Sequence, residues 1–155
     1  MTSVTDYAAS DAVASATSGQ LATFRLDGDL YGVEVEHVQE VLKSQGLTRV
    51  PLAPAAVAGL INLRGQVVTA IELRERLGRP PRPEGTDAVV IVVRLHGEAV
   101  SLLVDSIADV VDVDADDFEA PPDTLEGPAR DLIRGAFKLD GQLLLALDVQ
   151  KAVSA

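Results

Sequence analysis

Four short sequences of the form Leu-x-Gly followed by a polar residue constrain the fold of this chain more than any other feature. They are Leu26-Asp27-Gly28-Asp29, Leu63-Arg64-Gly65-Gln66, Leu95-His96-Gly97-Glu98 and Leu139-Asp140-Gly141-Gln142. Each lies between two runs of apolar or alternating residues. A two-residue turn that ends in glycine between such runs is a strong hairpin signal, because both central residues of a type I′ turn need φ > 0. The sequence therefore predicts four β-hairpins.

The runs beside these turns predict strands that are buried on both faces. Val89–Leu95 and Leu143–Leu147 contain apolar residues at consecutive positions, which is typical of a sandwich or of barrels packed together. The proline-rich stretch Gly78–Gly85 cannot form a central strand or a helix. We therefore expect an exposed linker there, with two hairpins on each side of it.

Helical signals are short. Glu36–Lys43 places its apolar residues on one helical face, and Leu73–Leu77 ends before Gly78, a stop signal. Asp114 is expected to cap a turn near Phe118, and Asp148 to cap a final turn through Lys151. The fold class predicted from these patterns is all-β with short helices.

Composition excludes several classes of function. The 155 residues carry a net charge of −11 and no cysteine, and aromatic residues make up 3%. Phosphate backbones and anionic lipid repel so acidic a chain, so we expect neither nucleic acid nor a membrane surface as partner. No apolar run approaches the roughly 20 residues of a membrane-spanning helix, and the N-terminus shows no secretion signal. We expect a cytoplasmic protein whose residues 1–19 form a flexible tail.

Motifs for chemistry are absent from the sequence. It contains no GxSxG, glycine-rich phosphate loop or HExxH motif. The acidic run from Asp112 places Asp117 where a calcium loop needs glycine and Asp123 where it needs glutamate, so we interpret it as a solvated face. His37 is interpreted as a boundary residue and His96 as a turn residue. We expect no catalytic residue, no cofactor and no metal.

Arg64 is the exception among the four turns. Asp27, His96 and Asp140 hold the equivalent positions and suit left-handed geometry, whereas arginine brings the steric penalty without a local hydrogen bond. One interpretation is a tolerated surface arginine. The other is a recognition arginine on a rigid hairpin, able to bind a partner's carboxylate with two hydrogen bonds.

The segment around Arg64 resembles a family signature. The matching residues are Val50-Pro51, Gly59-Leu60-Ile61, Asn62-Leu63-Arg64-Gly65 and Gln66 to Gly78, with Tyr31–Val35 and Val38–Val41 upstream and Val104–Val110 downstream. Together they are similar to CheW-type chemotaxis coupling proteins over about Leu21 to Val153. The departures from the family pattern are Thr69, where many members have proline, and Glu72, where they have aspartate.

This resemblance implies two five-stranded SH3-like barrels that share an apolar core within residues 20–155. It also implies a non-catalytic adaptor between the cytoplasmic tips of methyl-accepting chemoreceptors and the regulatory domain of the histidine kinase CheA. Such an adaptor is cytoplasmic, is recruited to membrane-associated receptor arrays, and is expected to be monomeric alone. Carried over by position, the partner-contacting residues are Arg64, Glu40, Val38 and Asn62, of which Asn62 is also expected to shape the turn.

Two alternatives stay open at this stage. An adaptor of the same fold could serve another chemosensory pathway, such as surface motility. An acidic β-sandwich enzyme would need a carboxylate pair, for which Asp105 and Asp109 are the best candidates.

Overall fold

The computed structural model describes residues 19–43 and 46–154, and these form twelve strands and three short α-helices. The tail expected over residues 1–19 lies outside the described residues except for Gly19, which begins the first strand. The elements are β1 (Gly19–Leu26), β2 (Asp29–Glu34), β3 (Val38–Leu42), β4 (Leu47–Thr48), β5 (Val57–Leu63), β6 (Gln66–Glu72), α1 (Leu73–Arg76), β7 (Val89–Leu95), β8 (Glu98–Val104), β9 (Ser106–Val113), β10 (Phe118–Glu119), α2 (Pro128–Leu132), β11 (Ile133–Leu139), β12 (Gln142–Leu147) and α3 (Val149–Val153).

All four predicted hairpins form, as β1–β2, β5–β6, β7–β8 and β11–β12, each with a two-residue turn. Asp27, Arg64 and His96 have φ between 51° and 54°, and the glycines that follow them also have positive φ. These three turns therefore have the conformation that the sequence predicts. The fourth differs, because there only Gly141 has positive φ, at 80°.

The strands form two six-stranded sheets. One has the order β10-β11-β12-β2-β1-β9 and is called here the terminal barrel; the other, β3-β7-β8-β6-β5-β4, is called the middle barrel. Each contains five longer strands and one strand of two residues, and each sets two hairpins side by side through a parallel pair, β12 with β2 and β6 with β8. The two-subdomain β fold is confirmed.

Chain connectivity closes each sheet. The edge strands of the middle barrel, β3 and β4, are consecutive in the chain, and so are the edge strands β9 and β10 of the terminal barrel. Four residues separate the members of each pair and span at most about 18 Å. The edges of a flat six-stranded sheet would lie about 24 Å apart. Each sheet must therefore curl into a barrel.

The proline-rich stretch does not divide the chain into the two subdomains. It connects α1 to β7 inside the middle barrel, while the terminal barrel takes strands from both ends of the chain. Most of its residues are exposed, as predicted, but the side chain of Arg82 is only 11% exposed. The linker predicted from composition is therefore a loop within the middle barrel and not the boundary between the two subdomains.

Three apolar clusters explain the consecutive apolar residues. Along β7, Ile91 and Val93 point into a central cluster shared by both barrels, while Val90 and Val92 point into the interior of the middle barrel. Residues of β12 alternate in the same way between the central cluster and the interior of the terminal barrel. Because successive side chains of a strand point to opposite faces, a strand buried on both faces is apolar throughout.

The predicted helix over Glu36–Lys43 is wrong. Val35–His37 forms one 3₁₀ turn, and Val38–Leu42 then forms β3, which pairs with β7. Short apolar patterns do not distinguish helix from strand. Here the antiparallel pairing with β7 holds residues 38–42 in a strand. The other helical signals are confirmed: α1 covers Leu73–Arg76, and the carboxylate of Asp148 caps α3 by accepting from the Lys151 N–H at 3.1 Å.

Candidate functional site

Arg64 sits at the tip of the β5–β6 hairpin with φ of 54°. The turn is held by Asn62, whose Oδ1 accepts a hydrogen bond from the Gly65 backbone N–H at 2.9 Å. Because Asn62 supplies this local bond, the turn tolerates a residue that cannot supply its own. The structure thus places Asn62 in the geometry of the turn, and the Arg64 side chain, 72% exposed, projects from it.

Arg64 and Glu40, both predicted as partner contacts, are brought together. The guanidinium donates through Nη1 to Glu40 Oε2 at 2.7 Å and through Nη2 to Oε1 at 2.5 Å. These hydrogen bonds lower the pKa of the Glu40 carboxyl to about 2, so the pair stays ionised at neutral pH. The contact joins the β5–β6 turn to β3, a bidentate pairing that sequence reasoning did not anticipate.

Val38 occupies the first position of β3, and a register shift between Val38 and Glu40 turns the two side chains to different faces of the sheet, because Val38 pairs with Val93 and Glu40 with Val92. Along β3, residues 38, 40 and 42 are half-buried and the two between them are exposed. Val38 packs against the central cluster that both barrels share. Val38 therefore lies on the face of β3 toward the junction between the barrels, whereas Glu40 and its partner Arg64 lie on the other face.

An apolar surface on the terminal barrel was missed from the sequence. Ile107 and Val110 on β9 are 42% and 57% exposed. In the β1–β9 ladder they lie opposite Phe24 and Ala22, which belong to or pack against the central cluster. Directly opposed residues share one face of a sheet, so the apolar face of the junction continues onto an edge strand. The apolar residues of Val104–Val110 were the available signal.

Asp105 does not form an acid–base pair with Asp109. Its carboxylate accepts hydrogen bonds from Arg74 and Arg82, at 2.6 to 3.0 Å, and from the Asp27 backbone N–H at 2.8 Å. Burial would raise the pKa of the Asp105 carboxyl, but these donors lower it to about 2. A carboxylate held in this way is a poor proton acceptor near neutral pH.

His37 lies at the boundary, as predicted, but within a charged cluster. Among the described residues, the ligand atoms of Glu34, Glu36 and His37 lie within 4.8 Å of one another. The hydrogen bond to Glu34 raises the pKa of His37, and Arg134 also donates to Glu34 at 3.3 Å. Glu34 is thus shared between Arg134 and His37, and the three side chains form a hydrogen-bonded charged cluster.

The acidic run has the structure expected of a capped, solvated segment. Asp112, Asp114, Asp116 and Asp117 are exposed, and Asp114 Oδ1 accepts from the Asp116 N–H at 3.0 Å to begin the 3₁₀ turn Ala115–Asp117. Within residues 19–43 and 46–154, no helix is long and apolar enough to cross a membrane.

The geometry is that of a double-barrel binding module, with an exposed arginine–carboxylate pair on one barrel and an exposed apolar strand on the other. Residues 20–155 match the family model described as CheW-like domain. The chain therefore belongs to the CheW-like domain family, and the resemblance seen in the sequence is confirmed.

Named relatives cover nearly the same length. Chemotaxis protein CheW of Treponema pallidum (strain Nichols) is 31% identical over 140 residues, which span 88% of this chain and 82% of that protein. Chemotaxis protein CheW of Bacillus subtilis (strain 168) is 30% identical over 132 residues, 85% of each chain. The crystal structure of scaffolding protein TtCheW from Thermoanaerobacter tengcongensis superposes with a TM-score of 0.74, at 29% identity, over 84% of this chain and 89% of that one.

Proposed function

We propose that this protein is a chemotaxis scaffold that couples methyl-accepting chemoreceptors to the histidine kinase CheA. The observation that carries the proposal is the family match over residues 20–155, which includes both barrels and every docking feature described above. The relatives that share this span are named chemotaxis proteins, and the solved one is described as a scaffolding protein. The proposed site of action is the cytoplasmic face of receptor arrays, which the monomeric protein joins through its partners.

Arg64, Glu40, Val38 and Asn62 form the proposed contact region of the middle barrel. A guanidinium has five N–H donors, and Glu40 takes one from each terminal nitrogen. The remaining donors can bind a partner's carboxylate while Glu40 keeps the side chain extended. Because the Arg64 side chain is held in one orientation before binding, less conformational entropy is lost when the partner arrives. Asn62 contributes indirectly, by fixing the turn.

The apolar residues at the junction of the two barrels suit a helical partner. Val38 lies at the margin of the central cluster, and Ile107 and Val110 extend the apolar face of the junction into solvent. An α-helical hairpin presents an apolar stripe that packs into such a surface. We assign the receptor tip to this junction, with Glu40 and Arg64 at its polar margin, and the kinase regulatory domain to the ends of the barrels.

The test compares Arg64→Ala with Arg130→Ala, the same change at an exposed arginine on α2 of the terminal barrel. Thermal melting should be nearly unchanged for both, because exposed substitutions have small effects on stability. Binding to a receptor fragment or the kinase regulatory domain should weaken at least about tenfold for Arg64→Ala alone, as expected for a buried interface arginine.

Two further variants refine the result. Arg64→Lys should restore binding only in part, since an ammonium cannot form a bidentate fork, and Glu40→Ala should weaken receptor binding in a folded protein. If Arg64→Ala melts like the parent and binds both partners equally well, the assignment of Arg64 is wrong. If it unfolds, Arg64 is a structural residue.

A further inference from the structure

Residues 74–82, called here the arginine segment, hold four of the ten arginines in the chain: Arg74, Arg76, Arg79 and Arg82. The segment begins in α1 and runs into the proline-rich loop of the middle barrel. Arginines at such density on an exposed loop would ordinarily be solvated. In this structure each guanidinium has a fixed partner, and three of the four reach beyond the middle barrel.

Arg74 binds the point where the chain passes from one barrel to the other. Asp105 separates β8 of the middle barrel from β9 of the terminal barrel. Arg74 donates to both oxygens of Asp105, at 2.9 and 2.6 Å, and its side chain is only 8% exposed. Asp105 also accepts from the Asp27 backbone N–H in the β1–β2 turn of the terminal barrel, at 2.8 Å. One carboxylate thus ties α1 to both barrels.

Arg82 extends the ion pairing of Arg74 to a second carboxylate of the middle barrel. It donates to Asp105 Oδ1 at 3.0 Å and to both oxygens of Glu72 at 2.9 and 3.0 Å. Arg74 Nη1 donates to the Pro80 carbonyl at 2.8 Å, which folds the loop back onto α1. Two guanidinium groups face two carboxylates, the arrangement that partly buried ions need.

The other two arginines reach the terminal barrel directly. Arg76 donates to the carbonyls of Ala152 and Lys151 in α3, at 3.0 and 2.6 Å. Arg79 donates to the Asp29 carboxylate and, at 3.1 Å, to the Tyr31 hydroxyl on β2. Asp29 and Tyr31 belong to the strand that pairs with β12 in the terminal barrel. The arginine segment therefore contacts the terminal half at two separate places, α3 and the β1–β2 hairpin, in addition to Asp105 at the connection between the barrels.

We propose that the arginine segment is a clasp that fixes the orientation of the two barrels, with Arg74 and Asp105 as its central positioning residues. Its use rests on the proposed scaffold function. Arg64 and Glu40 lie on the middle barrel, whereas Ile107 and Val110 lie on the terminal barrel. A single partner can contact both surfaces at once only if the barrels keep one relative orientation. The clasp adds directional ion pairs to the central apolar cluster that both barrels share, and none of its residues is among the proposed partner contacts.

The test measures the distance between the barrels in the isolated protein. Because the chain has no cysteine, spin labels can be placed at Glu98→Cys on β8 and Asp140→Cys in the β11–β12 turn, both exposed, and read by double electron–electron resonance. In this background Asp105→Asn removes the central carboxylate. Asp109→Asn is the matched control: the same change on β9, at a side chain that bonds to none of the described residues.

The labelled parent and Asp109→Asn should each give one narrow distribution of label-to-label distances. In Asp105→Asn this distribution should broaden, while the far-UV circular dichroism spectrum stays native. If Asp105→Asn fails to fold, Arg79→Gln takes its place, because it removes the ion pairs with Asp27 and Asp29 and the hydrogen bond to Tyr31 while leaving Asp105 intact; its distribution should broaden as well. A narrow, unshifted distribution in folded Asp105→Asn or in Arg79→Gln would overturn the clasp. Since no partner is present, failure here leaves the binding tests of the scaffold function unaffected.

Discussion

Asp105→Asn should remove part of the pH dependence of this protein's unfolding free energy. In the native structure the carboxylate accepts four hydrogen bonds from Arg74, Arg82 and the Asp27 backbone. These donors lower its pKa from the ordinary 3.8 to about 2. A carboxyl with a lowered native pKa stabilises the fold fully above its unfolded pKa, and this contribution is lost as the pH falls through the native value.

The size of the effect follows from the two pKa values. Each unit of pKa corresponds to about 1.4 kcal/mol, so a fall from 3.8 to about 2 gives at most about 2.5 kcal/mol. The side chain is 23% exposed, and solvent screening reduces the expected contribution to about 1–2 kcal/mol. At pH 7 the variant should lose more in total, about 2–4 kcal/mol, because Arg74 is then left buried without its main partner.

The assay is urea unfolding of the parent, Asp105→Asn and the control Asp109→Asn between pH 6 and the lowest pH at which all three fold. The difference in unfolding free energy between parent and Asp105→Asn should be constant above about pH 5 and should shrink toward pH 2. The lowered pKa of Glu40 affects all three proteins and cancels in the difference. A difference that stays constant down to the lowest pH would refute the ionised pairing of Asp105.

Three other outcomes are expected. Ser101→Ala should raise the unfolding free energy by about 1 kcal/mol, because the buried hydroxyl finds no hydrogen-bond partner among the described residues; a loss in urea unfolding would mean that the hydroxyl is bonded. Gly135→Ala should destabilise by about 1–3 kcal/mol, since its Cβ would lie 2.3 Å from Phe118 Cζ and 2.5 Å from the Glu119 carbonyl oxygen; an unchanged midpoint would show that both β10 residues shift freely. Millimolar calcium should leave the melting temperature unchanged, and a rise of several degrees would reveal a site in the exposed segment Asp112–Asp117.

The hairpins were predictable because their information is local. Asp27-Gly28, Arg64-Gly65 and His96-Gly97 adopt the left-handed conformations that their residue types and spacing indicate. The division into barrels was not predictable from these patterns, because parallel pairing of β6 with β8 and of β12 with β2 joins hairpins that lie apart in the chain. For the same reason the composition of the proline-rich stretch does not show that the hairpins on its two sides, β5–β6 and β7–β8, belong to one barrel.

The candidate site shows the same limit. Arg64 stood out in the sequence because arginine does not suit its turn, and Glu40 was assigned through the family resemblance. Nothing in the sequence indicated that the two bind each other across 24 positions. The pairing of Asp105 with Arg74, which lie 31 positions apart, was equally invisible in the sequence. An aspartate after an apolar strand is equally consistent with an acid, a cap or an ion pair, and only the tertiary structure supplies the cation.

The most direct test of the scaffold assignment is sedimentation of the kinase with membranes that contain the chemoreceptors. Purified kinase, receptor membranes and this protein are mixed, and the kinase in the pellet is measured with the parent, with Arg64→Ala, with Arg130→Ala and without the protein. Kinase is expected in the pellet with the parent and with Arg130→Ala, and little of it is expected with Arg64→Ala or without the protein. Equal sedimentation of the kinase with and without the protein would contradict the claim that this protein joins the two.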